Sequence, residues 1–534
     1  MAGKKSRAMG GAIVASAVLA IAACGDPGVT ADAYPQQVTL ADRGAVDNFH
    51  PASGYGQAGV SPIYDGLLRP DPVGGPDVIP ELVPALAAAE PEPDADAGEW
   101  TVRLREGVTF HDGSAFDAAD VKATYDVARD AAAGSKVAHD YDLIDDVAVV
   151  DELTVTFTLA YPYGAFRSRL TLPIAPSELV GEGSVADGPL GEKPVGTGPY
   201  RVAEGGGDMV RYAANPDYWG GKPEVVEIVV TVAADDAARA HRVASGELDG
   251  APVPASVATS FEGREGIEVH SAATADWRGI SLPKHPFLED PVVRRALNVA
   301  VDREAMVAGP LNGHGRAMST AIPEMYGDAH DPGAVFRHDV AGAERMLDDA
   351  GWRRGPDGVR TKGGVRAEIP LFYVGEDTQR RDLGIEFSAQ MARLGVSFPT
   401  RASTWDDITP RLGEAAAVLG GGSAPWDPDM MSHDLFHTRG AGTSEYDNPG
   451  DYGSAELDAK LGEARRATDD AERARLYREV QQLYVDDPSS IFLATVDHVY
   501  LAKESQWDKG TLILEPHIHG AIWGPWWNLR DWRK

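Results

Sequence analysis

Two pairs of histidines have a spacing that could support metal chemistry. His433 and His437 are four residues apart, which on a helix would place both imidazoles on one face. His517 and His519 are two residues apart, so on a strand they would share a face. Histidines are more often surface or hydrogen-bonded residues than metal ligands. We therefore expect no bound metal and retain His437, His517 and His519 only as candidate ligands.

Catalytic motifs are incomplete throughout the chain. It contains no G-x-S-x-G nucleophile elbow, no Walker A sequence and no H-E-x-x-H zinc motif. One G-x-G-x-x-G stretch begins at Gly54, but a dinucleotide site needs this motif between a strand and a helix, and the nearest candidate strand ends well before it. The 82 carboxylates are too many for any pair to indicate acid–base chemistry. These patterns predict a protein that is not an enzyme and has no cofactor.

Cys24 is the only cysteine in 534 residues, and its flanks suggest a function. Basic residues near the amino terminus precede an apolar run of roughly 14 residues that ends at Ala23, too short to span a bilayer and typical of a secretory signal. The segment I-A-A-C at 21–24 resembles the bacterial lipobox, in which the cysteine takes a diacylglyceryl group and the signal is cut before it. A buried or incidental cysteine is the alternative. We expect residues 1–23 to be a lipoprotein signal peptide and Cys24 to anchor the chain to the outer face of the cytoplasmic membrane.

Composition and charge exclude several classes of partner. The apolar share of 43% and the charged share of 25% are ordinary for a globular chain. A formal net charge of −33 repels nucleic acid, so we expect no nucleic-acid partner. With a single cysteine, neither an internal disulfide nor a cysteine-based metal site can form. The length is sufficient for more than one domain core, and we expect a monomer.

Helical and strand patterns are interspersed along the whole chain. Alternating or β-branched apolar runs predict strands at 38–40, 100–104, 108–110, 153–159, 225–232, 491–493 and 511–514. Capping residues and helical spacing predict helices after Asp117, through 238–242, after Asp290, from Asp302 to Gly309, and over 376–394 and 468–486. The mixture predicts an α/β class, preceded by a tether at 24–37 that is poor in apolar residues.

Four segments occur in an order that resembles a known family. They are V-R-L-R-E-G-V-T-F-H-D-G-S-A-F-D-A-A-D-V-K at 102–122, V-G-T-G-P-Y-R-V at 195–202 with N-P-D-Y-W-G-G-K-P at 215–223, F-L-E-D-P-V-V-R-R-A-L-N-V-A-V-D-R-E-A-M-V at 287–307, and L-Y-R-E-V-Q-Q-L-Y-V-D-D-P at 476–488. Together they resemble the family 5 extracellular solute-binding proteins, the peptide- and nickel-binding components of ABC importers. The resemblance extends over nearly the whole chain after Cys24.

The resemblance implies a two-lobed periplasmic-binding-protein-like fold of class II, with the ligand in a cleft between the lobes. Lobe I would comprise residues 38–270, including an extra subdomain at about 71–190, and residues 490–534 would return to it. Lobe II would comprise residues 271–489. The resemblance also implies an ABC permease and ATPase as partners, and closure of the lobes on the ligand by hinge motion.

The resemblance also assigns residues for a peptide ligand. The arginine that pairs with the ligand carboxylate in dipeptide-binding members corresponds to Arg381, with the adjacent Arg380 as the competing assignment. Those members place an acid for the ligand amine in the segment 420–429, where this chain has Ala424. Asp427 or Asp429 could take that role instead.

Aromatic residues and one histidine complete the expected site. Tyr55, Trp277, Trp426 and Trp523 fall in segments that relatives use to line the cleft, with core packing as the alternative. The segment A-P-W-D-P at 424–428 also resembles the nickel-binding branch, in which His437 could serve a metal chelate. The leading hypothesis is a lipid-anchored receptor that delivers oligopeptides or dipeptides to an ABC importer. The alternatives are a receptor for nickel or another metal chelate and, more remotely, a secreted hydrolase.

Overall fold

The structure is a computed structural model that describes residues 36–422, 426–440, 443–517 and 522–534. The predicted signal peptide, Cys24 and the tether up to residue 35 lie outside the described residues, as do Ala424 and His519. Residues Gln37–Lys534 form one compact unit. In the described part of the chain, no helix is both long and apolar enough to cross a membrane.

The strands of the described residues are numbered in chain order. They are β1 (Gln37–Asp42), β2 (Leu68–Asp71), β3 (Glu81–Pro84), β4 (Glu92–Pro93), β5 (Glu99–Arg103), β6 (Ile144–Asp151), β7 (Thr154–Leu159), β8 (Tyr200–Gly206), β9 (Met209–Ala214), β10 (Glu227–Val232), β11 (Gly250–Val253), β12 (Ile267–Ala272), β13 (Trp277–Ser281), β14 (Gly315–Ala317), β15 (Arg353–Arg354), β16 (Arg360–Lys362), β17 (Val365–Arg366), β18 (Leu371–Val374), β19 (Thr400–Ser403), β20 (Ala416–Gly421), β21 (Ser490–Val496) and β22 (His498–Lys503).

The α-helices of the same residues begin where the sequence supplies caps. They are α1 (Ala118–Ala128), α2 (Ala138–Tyr141), α3 (Ser177–Val180), α4 (Asp236–Ala244), α5 (Ala255–Ala258), α6 (Pro291–Ala300), α7 (Arg303–Ala308), α8 (Val340–Asp349), α9 (Thr378–Leu394), α10 (Trp405–Ile408), α11 (Pro428–Phe436), α12 (Ala455–Arg466) and α13 (Asp470–Asp486). Asp117 forms a capping box with Asp120 at α1, and Asp290 caps α6 ahead of Pro291. The helices predicted after Asp117 and Asp290 are therefore confirmed.

A seven-stranded sheet is formed mainly by the first half of the chain. Its strand order is β12-β22-β11-β1-β10-β9-β8, and β1 is parallel to both β10 and β11. The alternation of β1 buries Val38 and Leu40, as a strand with one covered face requires. Helices α4 and α5 pack over this sheet through Ala240, Val243 and Ala258.

A six-stranded sheet is formed by the second half of the chain and is covered by helices on both faces. Its order is β14-β21-β13-β20-β18-β19, with β18 parallel to β19 and β20. On β20, Ala416 and Val418 face one apolar core with α6, α8 and α9, whereas Ala417 and Leu419 face another with α12 and α13. Because β20 is buried on both faces, its sequence is apolar without alternation.

A third, four-stranded sheet has the order β4-β5-β7-β6 and lies within residues 92–159. Trp100 and Val102 on β5 pair with Phe157 and Val155 on β7, and these side chains are buried. Tyr125 of α1 packs edge-on against Phe157 at 4.9 Å between ring centroids. The strands predicted at 100–104 and 153–159 are thereby confirmed.

Two of the predicted strands are wrong. Residues 108–110 form only an isolated bridge between Thr109 and Ala115, because Gly107 and Gly113, with φ of 76° and 91°, turn the segment back on itself. Residues 511–514 join no sheet, although Ile513 and Leu514 are buried. Their apolar pattern indicates burial and does not require a pairing partner.

The chain passes between the seven-stranded and six-stranded sheets twice within the described residues. The first crossing is the segment 273–276 between β12 and β13, and the second is Asp497 between β21 and β22. The segment around Glu515 lies beside the first crossing, because Thr274 forms an isolated parallel bridge with Glu515. The two crossings are also joined by a 2.8 Å hydrogen bond from the Val496 amide to the Asp276 carbonyl.

Candidate ligand-binding site

The carboxyl ends of the parallel strands β18, β19 and β20 meet at one edge of the six-stranded sheet. β18 leads into α9, β19 leads into α10, and β20 leads into the segment before α11. In α/β sheets, ligands bind in the crevice outside the carboxyl ends of the strands. This edge also adjoins the first crossing, because β13 pairs antiparallel with β20 and sets Trp277 opposite Gly421. Binding groups are therefore expected here.

Arg380 lies in the first turn of α9, at this edge. Asp377 caps the helix by accepting a hydrogen bond from the Arg380 amide at 2.8 Å, and Arg380 Nη1 donates to the same carboxylate at 2.6 Å. The guanidinium lies 5.5 Å from the ring centroid of Trp405. Its Nε is buried and has no hydrogen-bond partner among the described residues. Burial, with the nearby charge of Arg278, lowers the pKa of Arg380.

Arg278, on β13, brings a second guanidinium to the same place. Gly420 is its partner across the ladder, and a Cβ on Gly420 would lie 2.6 Å from Arg278 Nη1 and 3.1 Å from Arg380 Nη2. Arg278 Nη1 donates to Asp276 and, at 3.0 Å, to the Trp277 carbonyl. Its Nε, like that of Arg380, is buried without a partner in the described part of the chain. The two guanidinium groups converge over a glycine that leaves them room.

This pair of arginines is suited to binding an anion. Two like charges this close repel each other, and an anion between them relieves the repulsion. Asp276 and Asp377 each pair with one guanidinium, but the described residues engage only Nη1 of each. A guanidinium carries five N–H donors in a planar fork that matches a carboxylate. The edge of the sheet can therefore hold a solute carboxylate.

A buried charge network adjoins the arginine pair at the crossings. His498 lies between two carboxylates, with Nδ1 2.8 Å from Glu515 Oε2 and Nε2 3.1 Å from Asp276 Oδ2. His517 Nδ1 lies 2.9 Å from the other oxygen of Asp276. Burial opposes the charge on His498, but its hydrogen bonds to Asp276 and Glu515 raise its pKa to about 9. Asp276 thus contacts both this network and Arg278.

Arg381, the first choice from the sequence, is placed differently from Arg380. Its side chain is 43% exposed and its Nε donates to Asp382 at 2.9 Å, whereas the Arg380 side chain is 11% exposed. Consecutive helical residues point about 100° apart, so the two side chains cannot face the same way. The structure brings Arg380 to Arg278 and leaves Arg381 at the surface.

Trp426 and Asp427 lie in contact with other parts of the protein. Trp426 is buried and its Nε1 donates to the Ala58 carbonyl at 3.1 Å. Asp427 caps α11 and accepts two hydrogen bonds from Arg473 Nη2, at 2.8 and 2.9 Å. Both side chains thus have structural partners within the described residues.

Asp429, in the first turn of α11, connects separate regions of the chain. Its carboxylate is fully buried and accepts hydrogen bonds from Tyr163 at 2.8 Å, from Tyr477 at 3.1 Å and from Arg465 at 3.0 Å. Burial alone would raise its pKa, but the charge of Arg465 and these hydrogen bonds hold it well below the usual range. Tyr163 follows the four-stranded sheet, so this contact links that region to α11.

The remaining aromatic candidates are largely packed against other rings. Tyr55 lies 5.1 Å from Phe49 between ring centroids, and burial raises the pKa of its hydroxyl. Trp277 is buried and lies 5.0 Å from Phe492 in an edge-to-face arrangement. Trp523 is 7% exposed. Core packing accounts for all three, and Trp277 also lies directly beside Arg278.

The histidine candidates within the described residues are each bonded to a carboxylate or a backbone oxygen. His433, in α11, stacks on His437 at 5.0 Å between ring centroids, but His437 is the C-cap residue with extended backbone, so the two do not share a helix face. His437 contacts the Thr438 carbonyl, and His517 contacts Asp276. Among the described residues, no group of three or more His, Cys, Asp or Glu side chains is arranged to hold a metal ion.

Sequence reasoning missed Arg278, Asp276 and His498. The available signal was the charged pair that flanks Trp277 in A-D-W-R-G, because charged residues in an apolar strand need a partner or a ligand. Burial alone would raise the pKa of Asp276, but the charges of Arg278 and His517 hold it well below its usual range. His498 gave no signal, since its partner Asp276 lies 222 residues away in sequence.

Comparison with known proteins identifies the family. The model for bacterial extracellular solute-binding proteins, family 5 Middle, matches residues 81–443. Protein XP55 of Streptomyces lividans is 36% identical over 488 residues, which cover 91% of this chain and 88% of XP55.

Two solved structures show the fold. NikZ from Campylobacter jejuni in complex with Ni(L-His) has a TM-score of 0.82 at 23% identity, covering 94% of this chain and 100% of NikZ. AppA from Bacillus subtilis in complex with a nonapeptide has a TM-score of 0.74 at 21% identity, covering 93% of this chain and 98% of AppA. These likenesses confirm the predicted two-lobed α/β fold. Together with the family match, they establish that the chain belongs to family 5 of the bacterial extracellular solute-binding proteins.

Proposed function

We propose that this protein is the lipid-anchored, extracytoplasmic substrate-binding component of an ABC importer, and that it delivers peptides to the permease. Its ligand is an oligopeptide or dipeptide held in the cleft between the lobes by its carboxylate. Membership of the family and the relation to AppA, a structure with a bound nonapeptide, support the ligand class. The convergence of Arg278 and Arg380 at the carboxyl edge of the sheet carries the proposal.

The arginine pair supports carboxylate recognition for a physical reason. A buried guanidinium whose Nε has no partner in the described residues loses hydration without full compensation. Two such groups, Arg278 and Arg380, face the same glycine. A carboxylate placed between them supplies acceptors for the donors that the described residues leave unused. The carboxyl terminus of a peptide is the group that fits.

Strand pairing supports an assignment of the two lobes. Residues 38–272 and 498–534 contribute the strands of the seven-stranded sheet, and residues 277–496 contribute those of the six-stranded sheet. The sequence resemblance implies a return to lobe I at residue 490, but β21 pairs with β13 and β14, so we place the return at His498. Hinge closure would then bend the chain at 273–276 and at Asp497.

Contacts between the lobes support a closed arrangement of the cleft. Trp426 bonds to Ala58, and Asp429 bonds to Tyr163, so the segment after β20 is tied to lobe I. That segment follows the edge that carries the arginine pair. Closure would thereby enclose a solute at the arginines and exclude water from its carboxylate.

A metal chelate is the second candidate ligand. His517 Nδ1 is bonded to Asp276, the arrangement that orients a metal-ligating histidine, and NikZ is a structure with bound Ni(L-His). A metal–amino acid chelate also carries a carboxylate that Arg278 and Arg380 could bind. The two candidates therefore share the arginine pair and differ in whether a metal is required.

The lipid anchor has its own test. We propose that Cys24 becomes the acylated amino terminus, on the basis of the segment I-A-A-C at 21–24. Cys24→Ser should abolish incorporation of labelled fatty acid and leave the chain with its signal uncleaved before residue 24. Unchanged labelling in this variant contradicts the proposed anchor.

Native mass spectrometry of the full-length chain tests the ligand class. The protein is mixed with a randomised library of peptides of two to nine residues, with the same library as carboxyl-terminal amides, and with nickel plus histidine. Retention of free peptides with amides at least about tenfold weaker supports the proposal. Retention of nickel and histidine alone favours the metal chelate. Equal retention of acids and amides contradicts carboxylate binding by the arginine pair.

A further inference from the structure

The two acids that could bind a ligand amine are already bonded to cationic side chains. Asp427 and Asp429 lie in the N-cap and first turn of α11, the helix that follows β20 in the chain. Asp427 Oδ1 accepts from the Asp429 amide at 2.9 Å and from Arg473 Nη2 at 2.8 Å, and its Oδ2 accepts from the same nitrogen at 2.9 Å. Each of its oxygens therefore has a donor within the protein.

Asp429 is bonded on both oxygens as well. Its Oδ1 accepts from Arg465 Nε at 3.1 Å and from Tyr477 at 3.1 Å, and its Oδ2 accepts from Tyr163 at 2.8 Å. Asp429 is 1% exposed and Asp427 is 9% exposed. Turning either carboxylate toward a solute would leave a buried arginine without its partner, which is unfavourable. These acids hold the protein together and are not available to an ammonium group.

The carboxylates beside the arginine pair are also bonded to cations. Asp377 accepts from Arg380, and Asp276 accepts from Arg278 and contacts His498 and His517. The stretches 423–425, 441–442 and 518–521, which lie outside the described residues, contain no Asp or Glu in their sequence. Arg278 and Arg380 thus offer unused donors to a carboxylate, whereas Asp276, Asp377, Asp427 and Asp429 are already engaged by cationic side chains. Glu376 and Asp406, which also follow strands at this edge, are exposed to solvent.

We propose that this receptor recognises its solute at the carboxylate end only, and that it binds peptides whose amino terminus is blocked by an acyl group within about tenfold of its affinity for free peptides. The inference rests on the proposed function, because it concerns the same site and the same carboxylate. It extends the ligand class to N-acyl peptides and N-acyl amino acids, in which the amine is an uncharged amide. An uncharged amide needs no carboxylate partner and loses less hydration than an ammonium group on burial.

Three forms of one library test this inference on the full-length chain. Peptides of two to nine residues are compared in free, N-acetylated and carboxyl-amidated form by native mass spectrometry and by competition titration. We expect the N-acetylated form to bind within about tenfold of the free form, and the amidated form to bind far more weakly. An N-acetylated form more than tenfold weaker than a well-bound free form overturns the inference and leaves the proposed function in place. If no form binds, both are overturned.

Asp427→Asn supplies a second measurement. Asparagine retains the cap on α11 and the shape of the side chain but removes the charge. If Asp427 clamped a ligand amine, the ratio of affinities for free and N-acetylated peptides would fall about tenfold in this variant. We expect that ratio to stay unchanged, because Arg473 holds the carboxylate in the native protein. A fall of this size in the folded variant overturns the inference.

Discussion

Two charged clusters differ in how far their hydrogen-bonding capacity is used: the arginine pair beside β20, and the acids Asp427 and Asp429 that follow β20 in the chain. Arg278 and Arg380 each engage the described residues through Nη1 and have a buried Nε without a partner there. Asp427 and Asp429 accept donors on both oxygens. Both clusters are buried and charged, so burial and charge alone do not separate them.

The difference supports the proposal that the arginine pair binds the ligand, and that Asp427 and Asp429 stabilise the fold. Acids whose two oxygens already accept donors gain little from a ligand ammonium, whereas two converging guanidinium groups with unused donors gain by binding an anion. The unused donor alone does not make a binding site, because Arg473, the partner of Asp427, also has a buried Nε without a partner in the described residues. Asp276 connects the arginine pair to the crossings that we propose as the hinge, since it bonds to Arg278 and contacts His498. A carboxylate that binds Arg278 therefore contacts the hydrogen-bond partner of Asp276, and Asp276 in turn contacts His498 beside the second crossing.

Removing the carboxylate of Asp429 should have the largest effect on stability. Asp429→Ala leaves the buried Arg465 and the hydroxyls of Tyr163 and Tyr477 without their acceptor. We expect the free energy of unfolding to fall by about 3–5 kcal/mol, as for other broken buried ion pairs. Thermal and denaturant unfolding of the full-length chain measure this loss.

The control for this variant is an acid at the surface. Asp470→Ala removes an exposed carboxylate from the first turn of α13 and should change the free energy of unfolding by less than about 0.5 kcal/mol. If the two variants lose similar stability, the buried hydrogen bonds of Asp429 do not stabilise the fold as predicted.

Removing the guanidinium of Arg380 should have the largest effect on binding. Arg380→Ala deletes one side of the arginine pair. The affinity for the free peptides that the native protein retains in mass spectrometry should fall on the order of 10²-fold. Arg381→Ala is the matched control because it removes the same charge one residue away, from a side chain that is 43% exposed. We expect its affinity to stay within about threefold of the native value. Titration calorimetry of both variants decides between them, and a larger loss in Arg381→Ala restores the first assignment from the sequence.

Local signals explain what the sequence predicts well. Asp117 and Asp290 identify helix starts because the cap and the helix are contiguous in sequence. The choice between Arg380 and Arg381 depends on the rotation of α9, which is set by packing against the sheet and by the Asp377 cap. The sequence could therefore locate the turn that carries the arginine but could not choose the side chain.

Long-range pairing explains what the sequence could not predict. Asp427 seemed available for a ligand amine because its partner, Arg473, lies 46 residues later on α13. Arg278 gave a weak signal because Arg380 reaches it only after β13 and β20 have paired. The apolar sequence predicts the burial of Ile513 and Leu514, but it cannot show that residues 511–514 pair with no strand. Partners that are distant in sequence are set by topology, which no local pattern encodes.

A smaller change at Gly420 sharpens the same comparison without removing a charge. In Gly420→Ala, the Cβ would lie 2.6 Å from Arg278 Nη1 and 2.8 Å from the Trp277 carbonyl, so the guanidinium must move. We expect the affinity for free peptides to fall about tenfold, because a displaced fork loses one of its two parallel hydrogen bonds. Gly413→Ala is the control, since its Cβ meets nothing within 4 Å. Equal affinities in the two variants, measured by the same titration, contradict the convergence of the arginines at Gly420.

The smallest expected effect concerns the pH dependence of stability at the hinge. Burial lowers the pKa of His498, but Asp276 and Glu515 outweigh it and raise the pKa from 6.5 to about 9. The imidazolium therefore adds stability that is fully present below pH 6.5 and is lost as the pH rises through about 9. We expect His498→Gln to reduce the loss of unfolding free energy between pH 6.5 and 9.5 by on the order of 1 kcal/mol. His139, whose pKa is raised to about 10 by Asp142 and Asp434, titrates in the same range in both proteins, so only their difference reports the hinge. If the native protein and the variant keep the same pH dependence of unfolding free energy, His498 is not charged between Asp276 and Glu515. The network that joins Arg278 through Asp276 to the second crossing would then contain no imidazolium at His498.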